Sequence, residues 1–126
     1  MKRVEYLIGR NDRSLIGYIH EDYSAICDTY RKRPAILVFP GGGYSHLSPR
    51  EEDPVLFPFF TAGYQVFVLR YSVGSDILSS SPEAEAAQAI SVLRRDAGRL
   101  DIEGDKIAVM GFSAGGHLAA MWGTEN

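Results

Sequence analysis

Residues 107–115, Ile107-Ala108-Val109-Met110-Gly111-Phe112-Ser113-Ala114-Gly115, carry the decision about the fold. Lys106–Met110 is an apolar run of the kind found in a buried strand, Gly111–Gly115 is a turn, and residues from Ala114 onward start a helix. The turn fits the pattern G-x-S-x-G. A strand that runs straight into a helix has to bend sharply, and the residue at the tip takes a strained backbone conformation with its side chain held clear of the sheet. Gly111 and Gly115, two positions to either side, leave room for the close approach of strand and helix. Ser113 at the tip is then exposed, and the N–H groups at the helix start point toward it. The N–H of Ala114 can therefore bind an oxyanion. The pattern also occurs in ordinary Gly/Ser turns; strand before and helix after are what make it a nucleophile elbow.

Working outward, Ala35-Ile36-Leu37-Val38-Phe39 is a continuous apolar run suited to a strand buried on both faces. Pro40-Gly41-Gly42-Gly43 stops it. Three glycines let a backbone fold close to a ligand and present its N–H groups, and in hydrolases with an HGGG-type loop this completes the oxyanion hole. Pro40 stands where that motif has His. By itself the segment reads equally well as a flexible loop; an elbow about 70 residues downstream favours the functional reading. Between the two lie a helix expected over Arg50–Ala62, shortened or kinked by Pro58 and closed by Gly63, and a second buried strand over Tyr64–Leu69. A loop follows over 71–81, then a helix starting at Ser81-Pro82-Glu83 and ending at Gly98. Ahead of them all, Val4–Ile8 and Leu15–His20 read as a β-hairpin across Gly9-Arg10-Asn11-Asp12. Three strand-then-helix units in series imply a parallel sheet with right-handed crossovers.

Composition fits this. The chain has 126 residues, 45% hydrophobic and 23% charged with both signs present, enough for one globular domain. The net charge is −3, with seven basic and five acidic side chains in residues 1–33 and six basic and eleven acidic in the rest, and neither part is basic enough to favour nucleic acid or an anionic membrane as partner. Cys27 is the single cysteine, so no internal disulfide forms, and it reads as a small semi-buried residue. Met1-Lys2-Arg3 resembles a signal n-region, but Glu5 and Gly9 break the apolar stretch after it. No run approaches the ~18 apolar residues of a membrane span. A soluble cytoplasmic protein is the expectation. No metal-ligand cluster and no nucleotide fingerprint is present, so no cofactor is expected.

Phe39-Pro40-Gly41-Gly42-Gly43-Tyr44, Ser48 with Arg50-Glu51, Gly63-Tyr64, Leu69-Arg70-Tyr71-Ser72-Val73 and Gly111-Phe112-Ser113-Ala114-Gly115-Gly116-His117-Leu118-Ala119 together resemble one family. It is the α/β-hydrolases described as acetyl esterases, xylan esterases or feruloyl-esterase-like (BD-FAE-like) proteins. The likeness covers nearly the whole chain. It implies a three-layer α/β-hydrolase fold with a mostly parallel sheet and an N-terminal β-hairpin, present here as a single partial domain over residues 1–126 that holds five strands and the elbow. It implies Ser113 as nucleophile, the amides of Ala114, Gly42 and Gly43 as oxyanion donors, and short acyl esters, often on sugars, as substrates. Tyr44 and His46, in the loop after the glycines, are candidate pocket residues.

In this fold the triad runs Ser, then Asp or Glu, then His. The thirteen residues after Ser113 hold His117 and Glu125, in the reverse order. The chain is therefore expected to be truncated after the elbow helix, and inactive or nearly so alone, since a serine without a base stays protonated. His117 lies one helical turn past Ser113 and reads as structural. His46 reads as a pocket or surface residue before a base, and His20 sits in an early strand with no nucleophile near. A half-domain leaves the strand before Ser113 with an open edge, so a homo-oligomer, a marginally stable fragment or a missing C-terminal half is expected. The alternatives are a non-catalytic acyl- or sugar-binding module, a half-enzyme completed by a partner chain, and an amide-cleaving hydrolase of peptidase or arylformamidase type.

Overall fold

Period-two alternation along the central strands sorts one continuous apolar run onto two opposite faces of a sheet. The computed structural model describes residues 1–21, 32–41, 47, 49 and 52–112. In chain order these form β1 (Lys2–Ile8), β2 (Arg13–Ile19), β3 (Arg33–Phe39), α1 (Asp53–Thr61), β4 (Gln65–Arg70), a 3-10 helix (Gly74–Leu78), α2 (Pro82–Arg95) and β5 (Ile102–Gly111). From β3, Ala35, Leu37 and Phe39 join Phe67 and Leu69 of β4 in a core under Ala86, Ala89, Ile90 and Leu93 of α2. The alternate residues Ile36, Val38, Val66 and Val68 face the other way and pack with Leu56 of α1. Helix, sheet and helix make three layers, as the resemblance implies.

The sheet order is β1-β2-β4-β3-β5. Here the expectation of a mostly parallel sheet needs correction: β4–β3 and β3–β5 are parallel, but β1–β2 and β2–β4 are antiparallel. The hairpin is the cause. Its second strand docks edge to edge on β4, from Ser14↔Arg70 to Tyr18↔Val66, instead of standing apart. Gly17 makes the docking possible. A Cβ there would lie 2.4 Å from two carbons of the Phe67 ring, so only a glycine lets that ring cover the strand.

Both helices follow their local signals. Ser81 caps α2, its Oγ accepting from the Ala84 N–H at 3.1 Å, with Pro82 in the first turn. The helix stops at Arg95 rather than running on to Gly98, because the chain turns at Asp96 and again at Asp101, where φ is +59°. As a result β5 begins at Ile102, four residues before the expected start. Helix α1 spans Asp53–Thr61 with Pro58 inside it, and Gly63 follows its cap at φ +106°, the expected terminating conformation. The expected start at Arg50 lies outside the described residues. Glu52 does not cap the helix with its side chain. Its Oε1 instead accepts from Arg70 Nε at 2.9 Å and Nη2 at 2.7 Å, tying the helix start to the end of β4. Strand β5 is less buried than expected. Ile107, Val109 and Met110 are half-buried and Ala108 is exposed, because among the described residues β5 is the last strand of the sheet.

Candidate active site

Strands β3 and β5 run parallel and end at the same level. Phe39 pairs with Gly111, and one residue further the N–H of Phe112 donates to the carbonyl of Phe39 at 3.1 Å. The ladder thus continues one residue past the end of β5. Pro40-Gly41, opening the triglycine segment, and Phe112, the residue before Ser113, leave neighbouring strands together at their carboxyl ends. In open α/β sheets that edge is where ligands bind. Phe39 and Phe112 fix the two exits from opposite faces: Phe39 is in the core under α2, and Phe112 packs against the core under α1.

Of the residues expected at the site, Gly111 is the last residue of β5. Ser113, Ala114, Gly115, Gly42, Gly43, Tyr44 and His46 lie outside the described residues, as do His117 and Cys27. The third histidine, His20, lies at the opposite end of the sheet from these exits, its N–H donating to Oε1 of Gln65 at the start of β4 at 2.8 Å. Its ring stacks on Phe60 at 3.8 Å between centroids, and its Nε2–H donates to the Phe60 carbonyl at 2.9 Å.

Two groups beside these exits were not expected from the sequence. Tyr71 follows β4, is fully buried, and donates its phenolic hydrogen to the carbonyl of Pro40. Next to it, Ser72 is held by the buried carboxylate of Glu85 on α2: Oε1 accepts from the Ser72 N–H at 2.7 Å and Oε2 from its Oγ at 2.5 Å. Ser80 Oγ donates to Oε2 at 2.7 Å as well. The legible signal was Glu85 itself, which stands on the helical stripe of Ala86, Ala89, Ile90 and Leu93. An acid on a buried face needs donors around it. Tyr71 carried no such sign.

Two loops leaving adjacent parallel strands, beneath helices on both faces, is the arrangement of an α/β hydrolase, and the chain has that fold. It belongs to the BD-FAE family, whose model matches residues 25–126. It is similar to endo-1,4-beta-xylanase B of Butyrivibrio fibrisolvens, 33% identical over 108 residues, which is 83% of this chain and 16% of that protein. The crystal structure of an α/β hydrolase enzyme from a Medee basin deep-sea metagenome library superposes with a TM-score of 0.85 at 40% identity, over 94% of this chain and 49% of that one. That of an acetyl ester-xyloside bifunctional hydrolase from Caldicellulosiruptor lactoaceticus gives 0.79 at 37% identity, over 90% and 39%. The chain thus spans half or less of the length of each. Among the described residues no helix is long and apolar enough to cross a membrane.

Proposed function

We propose that this chain is the nucleophile-bearing part of a serine carboxylic-ester hydrolase, acting on short acyl esters such as acetyl groups on carbohydrate. The observation that carries the reading is the hydrogen bond from Phe112 to Phe39, because it ties the exits of the two loops together at one edge of the sheet. Ser113 comes one residue after one exit, and Gly42-Gly43 come two and three residues after Pro40 at the other. In the proposed reaction the Ser113 Oγ attacks the ester carbonyl carbon. The carbonyl oxygen takes up the negative charge and is stabilised by the N–H groups of Ala114, Gly42 and Gly43. The alcohol leaves with a proton, and water then releases the acyl group from the serine. A substrate with an acetylated sugar is supported by the xylanase and the acetyl ester-xyloside hydrolase to which the chain is similar.

The proton steps need a base aligned by an acid. Among the residues after Ser113, His117 and Glu125 come in the wrong order for this fold. Without that base, attack by Ser113 is slow, and these 126 residues alone turn over ester only at a residual level. Reaction with a fluorophosphonate, followed by mass spectrometry of the peptide holding Ser113, tests the assignment. Slow adduct formation at Ser113 and at no other serine supports it. Acyl-sugar binding without any adduct at Ser113 would favour a binding module instead.

A further inference from the structure

We propose that Tyr71 is a positioning residue for the triglycine loop, its phenol fixing the peptide unit from which Gly41-Gly42-Gly43 continues. The inference rests on the reading of that loop as an oxyanion donor. Glycines have no side chains by which a fold can hold them, so a loop of three must be held from outside. Pro40 has no N–H, which leaves its carbonyl as the main-chain group that can be gripped. Tyr71 grips it, donating from a fully buried ring. The carbonyl of Pro40 and the N–H of Gly41 belong to one planar peptide unit, so holding the first aims the second.

Tyr71 is itself held. Its ring lies in the core under α2. The next residue, Ser72, is bound through N–H and Oγ to the buried Glu85 carboxylate at 2.7 and 2.5 Å. A rigid line therefore runs from α2 through Glu85, Ser72 and Tyr71 to Pro40, and it ends at the exit beside Phe112.

Tyr71→Phe removes the hydroxyl and keeps the ring, and Tyr6→Phe is the control. The Tyr6 hydroxyl donates to Asp96 Oδ2 at 2.8 Å between β1 and the end of α2, away from the strand ends. Amide hydrogen exchange in the 126-residue chain is read by NMR at Gly41, Gly42 and Gly43, with Val38 and Phe39 as references. The residual p-nitrophenyl acetate hydrolysis is read as kcat and KM. Tyr71→Phe is expected to speed exchange at the three glycines about tenfold while the β3 amides hold, and to lower kcat about tenfold with KM within about twofold. Tyr6→Phe is expected to change neither. Glycine exchange unaltered in Tyr71→Phe, or accelerated equally throughout β3, overturns the proposal. If the unaltered chain shows no turnover that depends on Ser113, the esterase reading falls, and the glycine exchange still decides the role of Tyr71.

Discussion

The carboxylate of Glu85, fully buried on α2, accepts the backbone N–H of Ser72 at 2.7 Å and so fixes the chain where it leaves β4. The same carboxylate takes the hydroxyls of Ser72 and Ser80. Ser72 Oγ in turn accepts from Asn11 Nδ2 at 2.9 Å, bringing the hairpin turn into the network. Gly9 presses so closely here that a Cβ would meet Glu85 Cγ at 2.9 Å. Removing the acid leaves a buried amide and two hydroxyls without their acceptor. Glu85→Ala is expected to destabilise the chain by about 3 kcal/mol. Urea unfolding measures it, and a loss under about 1 kcal/mol would mean that the network contributes little.

Gly17→Ala tests the docking of the hairpin on β4. The added methyl would lie 2.4 Å from the Phe67 ring, which is itself fully buried and cannot move aside freely. A cost of about 1–3 kcal/mol is expected from overpacking. A second substitution, Phe67→Leu, gives the methyl space. If Gly17→Ala costs as much with leucine at position 67 as it does with Phe67, the close approach is not what requires glycine.

His20 gives the fold a dependence on pH. Burial and then the nearby positive charge of Arg33 hold its pKa below the ordinary value of 6.5, against the opposing bond to the Phe60 carbonyl. The unfolded chain therefore takes up this proton at a higher pH than the folded one. The stability that neutral His20 contributes is complete above the unfolded value and is lost as pH falls toward the folded value. The melting temperature is expected to drop between about pH 7.5 and about pH 5.5, and to drop less in His20→Gln. Equal drops in the two proteins would remove His20 as the cause.

The layers, the hairpin and the helix starts were legible because each has a local cause. Ser81-Pro82 starts α2, Gly63 ends α1, and the run 35–39 can be nothing but buried. The antiparallel seam between β2 and β4 was not legible, because it depends on Gly17 meeting Phe67 fifty residues away, and a lone glycine in a strand gives no partner. Tyr71 was missed for the same reason: its acceptor is a backbone carbonyl, which leaves no mark in a sequence. At the site, the order strand, turn, serine could be read directly, while the alignment of Phe39 with Gly111 is a matter of register that only the folded sheet reveals.

Strand β5 pairs on one side with β3, and among the described residues nothing pairs with its other edge. An unpaired edge with half-buried Ile107, Val109 and Met110 invites another strand. We propose that the 126-residue chain associates with itself in solution. Light scattering is expected to give a mass above one chain, reduced toward one chain by Val109→Lys. A monomer with a cooperative melt would contradict this.

The hydrolysis of p-nitrophenyl acetate by the chain and by Ser113→Ala, compared at one protein concentration, bears on the esterase assignment most directly. A slow rate above buffer that falls clearly in Ser113→Ala is the predicted result. A rate untouched by the substitution would contradict the assignment of Ser113 as nucleophile, and fast turnover that Ser113→Ala abolishes would show that a base for the serine is present within these residues.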